Sequence, residues 1–365
     1  MTLRPTSARR LLTALALVPL AVGLAACGSG DSSSSASGSS SSSTSPAKEL
    51  RLGYFANVTH AAALIGVQQG YVAKELGSGT KLTTQVFNAG PDEVEALFGG
   101  GLDAAYIGPS PTINAYAQSK GDAIRIISGA ASGGAELVVR DGITSAAQLK
   151  GKTLASPQLG NTQDVALRTW LTGQGLKNSV SGGGDVTVSP TANADILSLF
   201  KSGGIDGAWV PEPYASQLVL QEGGHVLVDE KDLWPQGKFV TTQLIVRTEF
   251  LEEHPQTVAA LLKANVESVQ FAQSDPAAAK TAVNAGLQAA GGKSLPAEVL
   301  DRAWGELSVT WDPIATALSK SAANGVSAGT TKKVDLKGIY DLRPLNTILK
   351  AQKLTAVSAD GLGDQ

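Results

Sequence analysis

The chain has 365 residues, is 42% hydrophobic and 17% charged, and carries a formal net charge of −3. That length is enough for about two globular domains, and the balance is that of an ordinary globular protein. Without a basic patch or Lys/Arg run the composition excludes a nucleic-acid binder, a single cysteine excludes an intramolecular disulfide, and three scattered histidines with no thiol to join them offer no metal centre.

The first 26 residues read as an export signal. Arg4, Arg9 and Arg10 make a positive start, and Leu11–Leu24 is apolar but too short for a comfortable membrane span. Leu24-Ala25-Ala26-Cys27 then places small residues ahead of the lone cysteine, which resembles a bacterial lipoprotein signal. That resemblance implies cleavage before Cys27 and lipidation of Cys27; an ordinary secretory signal is the alternative, and Arg9-Arg10 leaves the choice between Sec and twin-arginine export open. Residues 27–47 are expected to form the lipidated cysteine and a tether. Twelve of the 19 residues in Gly28–Pro46 are Ser, a composition that cannot bury enough apolar surface to fold.

From residue 48 onward strands and helices alternate. Glu49–Phe55 reads as a strand, Ala56–His60 as a turn, and Ala61–Gln69 as a helix running towards Leu76. Leu82–Phe87 is the second strand. The segment FNAGPDEVEALFGGGLDAAYIGPSPT, residues 87–112, follows as turn, helix, glycine stop, strand and turn. Val94, Leu97 and Phe98 have helical spacing, and Ala104–Ile107 is the wholly apolar run of a parallel strand buried on both faces. A helix is expected at Ile113–Gln118, then strands at Ala123–Ala130 and Glu136–Arg140. A short helix over Ile143–Gly151, strands at Lys152–Ser156, Asp185–Ser189, Ile205–Val210 and His225–Val228, and helices at Val165–Leu171, Ala192–Lys201 and up to Leu220 come next. Thr241–Arg247 is the last expected strand. Beyond it the spacing of Val258, Leu262, Val266 and Val269, and the starts at Asp275-Pro276 and Leu295-Pro296, predict a helical tail. Alternation followed by helices predicts an α/β fold.

The two halves share a grammar. At an offset of 103 residues Asp103 falls on Asp206, Ala105 on Ala208, Tyr106 on Trp209, Ile107 on Val210 and Thr59 on Thr162. One extra residue in the second glycine turn is needed for the match.

Catalytic and nucleotide motifs fail on inspection. Gly151-Lys152-Thr153 lacks the glycine that a P-loop places five residues earlier, and it precedes its strand instead of following it. No G-x-S-x-G elbow occurs, and no G-x-G-x-x-G follows a strand. What remains is a set of four polar turns at expected helix starts: Thr59–His60, Ser110–Thr112, Asn161–Gln163 and Glu212–Tyr214. Helix N-termini carry orphan N–H groups and partial positive charge, and can hold an anion without Lys or Arg. The same residues also serve simply as caps. Trp209 and Tyr106 end buried strands, either as core or as cleft wall. Glu212 beside such a site either repels unsuitable anions, accepts a hydrogen bond, pairs with an ammonium on the ligand, or sits as a solvated acid where a helix start favours one.

The pieces LRLGYF with Thr59-His60, FNAGPDEVEAL, GLDAAYIGPSP, ITSAAQLKGKTLA, Gly160-Asn161-Thr162 and GGIDGAWVPEPY run in order across about residues 50–250. In that order they resemble the ABC-importer substrate-binding lipoproteins of the aliphatic sulfonate, taurine and nitrate branch. The resemblance implies a two-lobed, periplasmic-binding-protein-like (type II) α/β fold with hinge strands and a helical C-terminal tail. Lobe one would span 48–139 plus 241–365, and lobe two 140–240. It implies ligand contacts at Thr59, His60, Ser110, Asn161, Thr162, Trp209 and Glu212, with no metal and no cofactor. It further implies a monomeric receptor, not an enzyme, anchored at the extracytoplasmic face of the cell membrane and delivering a small anion or zwitterion to an importer permease. An aliphatic sulfonate or taurine is the expected ligand. Nitrate, a pyrimidine-like thiamine precursor, or an enzyme that synthesises such a precursor are the alternatives.

Overall fold

The computed structural model describes residues 45–363. The signal over 1–26, the lipidation site Cys27 and the tether up to residue 44 lie outside the described residues. The body already holds the chain at Ser45–Ala47, which composition assigns to the tether. Ala47 is buried, its N–H donates to Thr257 Oγ1 at 2.8 Å, and Thr80 Oγ1 donates to its carbonyl at 2.6 Å.

Among the described residues eleven strands form two sheets. They are β1 (Glu49–Phe55), β2 (Lys81–Phe87), β3 (Ala104–Ile107), β4 (Ile124–Gly133), β5 (Ala135–Val139), β6 (Thr153–Ser156), β7 (Thr187–Pro190), β8 (Gly207–Pro211), β9 (His225–Asp229), β10 (Val240–Arg247) and β11 (Leu307–Val309). The first sheet has the order β11-β4-β10-β3-β1-β2, and the second β7-β6-β8-β5-β9. Without β11 the two orders match strand for strand. In each, three strands run parallel and the fourth, β10 or β5, returns antiparallel. Both sheets belong to one compact unit, Thr44–Gln365.

The returning strand of each sheet arrives from the other sheet. The chain passes from β4 to β5 through Gly133 and Gly134, at φ +81 and +73, a left-handed pair that residues with a Cβ avoid. It passes back from β9 to β10 through residues 230–239. Thr241 Oγ1 donates to the Gly133 carbonyl and ties the two crossings together.

The sequence repeat is a structural repeat. The N–H of Arg51 donates to the Asp103 carboxylate at 2.8 Å, and that of Thr153 donates to the Asp206 carboxylate at 2.9 Å. Asp103 N–H returns to the Arg51 carbonyl, and Asp206 N–H to that of Thr153. Arg247 and Arg140, one on each returning side, donate backbone N–H to the Asp103 and Asp206 carbonyls. The extra residue of the second half is not in the second glycine turn, as expected, but between β6 and Thr162: Leu52 pairs with Ala104 where Leu154 pairs with Gly207, so the offset has already changed before Thr162.

Most expected elements are present, and the differences have local causes. The first helix breaks into Ala61–Gln68 and Tyr71–Leu76 because Gly70 takes φ +73 between them. The stretch Gly108–Thr112, expected as a turn, is already the first turn of the helix Pro109–Gln118, with Gly108 as N-cap. Proline fits there because its missing N–H has no partner at a helix start. Ile143–Gly151 holds only a 3₁₀ turn at Ala146–Leu149. The tail is helical at Pro255–Ser274, Pro276–Ala289 and Ala297–Gly305, but β11 interrupts it before two more helices, Ala315–Ser327 and Arg343–Ala351. Three residues of β11 are too few to show a period of two.

Candidate functional site

Where β1, β3 and β8 end, the two halves meet around a cavity of about 20 Å³. The carboxyl ends of parallel strands, beside helix starts, are where open α/β sheets bind ligands. The first half contributes Phe55, Asn57, Thr59, His60 and Gly108. The second contributes Asn161, Thr162, Gln163, Asn193 and Pro211, and Thr241–Thr242 at the start of β10 complete the wall. The halves touch here: a Cβ on Gly108 would lie 2.3 Å from Thr162 Oγ1, so nothing larger than glycine fits.

Four helix starts converge on this point. The 3₁₀ turn Val58–His60 leads into Ala61–Gln68, and Pro109–Gln118, Thr162–Gly173 and Asn193–Ser202 begin at Gly108, Asn161 and Ala192. Their first N–H groups have no partner inside the helix. The helix after β3 is unusual. Pro109 and Pro111 have no N–H and Thr112 N–H returns to the Gly108 carbonyl, so only Ser110 N–H is left as a free donor in that first turn.

The lining is polar and uncharged. No Lys, Arg, Asp or Glu is among the residues that form it. Thr162 Oγ1, Asn193 Oδ1 and Thr242 Oγ1 are buried and make no hydrogen bond within the protein. A buried polar atom without a partner costs about 1–3 kcal/mol, and here three of them border one small space. His60 is the one titratable group in the wall. Its Nδ1 accepts the Phe55 N–H at 3.2 Å and its ring stacks on Phe55 at 4.4 Å. Burial pushes its pKa down to about 3, so the ring is neutral near pH 7. With Nδ1 accepting, the proton resides on Nε2, and His60 is an N–H donor, not a cation.

Of the residues expected at the ligand, Thr59, His60, Asn161 and Thr162 line the cavity. Ser110 is buried in the first turn beyond Gly108 without lining it. Trp209 and Glu212 point elsewhere. Trp209 is wholly buried in the core of the second sheet, edge-on to Trp170, and its Nε1 donates to Glu230 at 2.8 Å. Burial pushes the Glu230 carboxyl up to about 7. Glu212 accepts from Arg302 Nη1 at 2.8 Å and from Ser216 Oγ and N–H. Arg302, on the helix Ala297–Gly305, also grips Glu136 of β5. Burial, and then the Glu136 carboxylate, push the Glu212 pKa up to about 7. Glu136 lies with Asp229 and Glu306 in an acidic group, and Lys231 bridges the last two.

Asn193, Thr241 and Thr242 were not singled out by the sequence reading. Asn193 had a usable signal, since it opens a helix after a strand as Asn161 does. The threonine pair offered only a polar start to an otherwise apolar strand.

The NMT1-like family profile matches residues 43–286. The taurine-binding periplasmic protein of Escherichia coli K12 is 28% identical over 201 residues, 54% of this chain and 59% of that protein. In fold, the chain is similar to the alkanesulfonate-binding protein SsuA of Xanthomonas axonopodis pv. citri bound to MOPS, with a TM-score of 0.66 at 21% identity over 79% of this chain and 96% of that one. It is also similar to the periplasmic nitrate-binding protein NrtA of Synechocystis PCC 6803, with a TM-score of 0.68 at 18% identity over 87% and 91%. With two thirds of its length inside the profile and the same two-sheet fold as these binding proteins, the chain belongs to the NMT1-like family.

Proposed function

We propose that the protein is the extracytoplasmic solute-binding receptor of an ABC importer, and that it closes over a small oxyanion, an aliphatic sulfonate first of all. The observation that carries the reading is the junction of two matched halves at a cavity lined by helix starts and partnerless hydroxyls, with no charged side chain. Helix N–H groups and neutral donors hold an anion without a tight ion pair, which suits capture followed by release. A cavity of about 20 Å³ holds roughly one water. The halves therefore part for a sulfonate to enter. Lobes at 48–139 plus 241–365 and at 140–240 would turn about the Gly133–Gly134 crossing and the 230–239 return.

The carboxylate expected to meet a ligand ammonium is engaged elsewhere, since Glu212 is held by Arg302 and Ser216. That favours a sulfonate without an ammonium over taurine. The tightness of the cavity favours nitrate as the second reading. Catalysis is disfavoured because the one titratable wall residue, His60, is kept neutral and no carboxylate or lysine lines the cavity to act with it. Anchoring through Cys27, a permease partner and a monomeric state complete the proposal; no helix among the described residues is long and apolar enough to cross a membrane.

Isothermal titration with methanesulfonate, taurine and nitrate tests this. Methanesulfonate is expected to bind, taurine more weakly, and neither to be consumed. Taurine binding tenfold tighter than methanesulfonate would contradict the ammonium argument, and heat from none of the three would remove the anion site.

A further inference from the structure

The helix Ala297–Gly305 and β11 straddle the crossing about which the halves are proposed to turn. By packing they belong to the first half. Leu300 and Ala303 are buried in the core of the first sheet, Lys280 on the preceding helix donates to Asp301, and Leu307 pairs with Gly133 at the end of β4. Arg302 nevertheless reaches into the second half. Its Nη1 donates to Glu212 Oε1 at 2.8 Å and to Ser216 Oγ at 2.9 Å, and its Nη2 donates to Glu136 Oε2 at 2.7 Å. Four residues on, Glu306 meets Lys231 of the return segment at 3.0 Å. The Glu136 and Glu212 side chains are buried, while that of Arg302 keeps an exposure of 20%.

This bridge adjoins the cavity wall. Pro211 lines the cavity, and Glu212 follows it with its N–H donated to the Gly134 carbonyl at 2.9 Å. A Cβ on Gly134 would lie 3.4 Å from Thr59 Cγ2 and 3.6 Å from Glu212 Cγ, so one glycine separates a cavity threonine from the bridged carboxylate. Turning about Gly133–Gly134 moves Glu136 and Glu212 against Arg302, because the partners sit on opposite sides of the crossing.

We infer that Arg302 is a positioning residue for ligand capture: it latches the halves together over the cavity, so that affinity depends on a bridge that never touches the ligand. This rests on the two-lobed receptor reading above and adds to it a control of closure. The latch responds to pH because closing takes Glu212 out of water. Burial, and then Glu136, raise its pKa from an ordinary 4.5 to about 7 in the closed arrangement, against the opposing pull of Ser216 and Arg302. Asp229, Glu306 and Lys231 complete the charged surroundings, and His60, next to Thr59 beyond Gly134, stays neutral. A group whose pKa is higher with the halves closed takes up a proton on closing, so closure is favoured at low pH and weakened as pH rises through 7.

The test is a titration with methanesulfonate, whose own charge is constant over the range, at pH 5.5 and pH 8. It is run on the parent, Arg302→Gln, Arg302→Lys and Glu212→Gln; neither residue lines the cavity. The parent is expected to bind about fivefold or more weakly at pH 8 than at pH 5.5. Arg302→Gln leaves two buried carboxylates unpaired and is expected to lose about tenfold or more in affinity at pH 8, and less at pH 5.5, where Glu212 carries a proton. Arg302→Lys is expected to recover part of that loss, and Glu212→Gln to flatten the pH profile. A residue that only held the fold together would lower affinity equally at both pH values. Hydrogen exchange of the ligand-free protein gives a second readout: Arg302→Gln is expected to exchange faster over residues 207–217, while β1 and β3 keep the parent's rate. Equal affinities of parent and Arg302→Gln, an equal loss at both pH values, or unchanged exchange overturns the latch. Failure of the parent to bind methanesulfonate at either pH counts against the receptor's ligand class, and the exchange result then decides the latch alone.

Discussion

The two halves of this protein solve the same problem with different chemistry. Each places an aspartate, Asp103 or Asp206, at the foot of its third strand, where it clamps the first strand through matching hydrogen bonds. Each sends a threonine, Thr59 or Thr162, to the shared cavity. Beneath that shared frame the polar and apolar roles are exchanged. Under the helix after the first strand, one half buries Ala61 and Ile65, while the other buries Asp164 and Arg168 as an ion pair at 3.0 Å. Under the next helix, the first half buries Glu93 with no hydrogen-bond partner, whereas the second buries Ile196. A frame fixed by backbone hydrogen bonds tolerates opposite choices in its core, provided each buried charge is paired or neutralised.

Transplanting one half's solution into the other tests that statement. The largest effect is expected for Arg168→Ile, which strands the Asp164 carboxylate, already bound to Ser156 and Gly160, in a dry interior. A loss of about 3 kcal/mol by urea unfolding is expected. Adding Asp164→Ala, which completes the first half's Ala/Ile pair, is expected to recover part of the loss. A double variant less stable than the single one would show that the two cores are not interchangeable.

The next largest effect runs the other way. Glu93 is fully buried, and desolvation holds its carboxyl well above the ordinary range. A folded pKa raised above the unfolded value gives stability that is present below the unfolded pKa and lost as pH rises towards the folded one. Above the ordinary carboxylate range the folded state therefore holds this proton more tightly than the unfolded state does. Glu93→Met, similar in volume and apolar like Ile196, is expected to stabilise by about 1–2 kcal/mol at pH 7, with the gain shrinking as the pH falls towards 4.5. Thermal melts from pH 4.5 to 8 read both; a loss at pH 7 would assign Glu93 a partner in the fold.

The smallest effect concerns the junction between halves. Glu212 has a folded pKa of about 7, so the same sign applies, and its contribution fades as pH climbs from about 4.5 through 7. Glu212→Gln is expected to flatten the pH dependence of melting over that window and to raise the melting temperature at pH 8 relative to pH 5 by roughly 2 °C or more. A parallel shift at both pH values would mean that Arg302 already keeps Glu212 ionised.

These contrasts also explain what was legible in the sequence. The strands and helix starts were readable because backbone demands leave local marks: an apolar run at Ala104–Ile107, prolines at a helix N-terminus, glycines at stops. The pairing of Thr59 with Thr162 was readable because a repeat carries its own register. Trp209 was not, because a strand buried on both faces has no alternation to say which face a side chain takes. Glu212 was not, because its partner Arg302 lies 90 residues away in a helix whose sequence advertises only amphipathicity. Asn193 shows a further asymmetry. Its counterpart at the same offset is Gly90, where Pro111 leaves no room for a side chain, so only the second half brings an amide from that position to the cavity.

The central claim is that the partnerless hydroxyls of the cavity wait for a ligand. Thr162→Val/Thr242→Val removes two of them without changing volume much. The decisive measurement is methanesulfonate titration of this double variant beside its melting temperature. Affinity is expected to fall about tenfold or more while the melting temperature holds or rises, because two unsatisfied buried groups are gone. Unchanged affinity, or a fall in stability that accounts for the lost binding, would contradict the assignment.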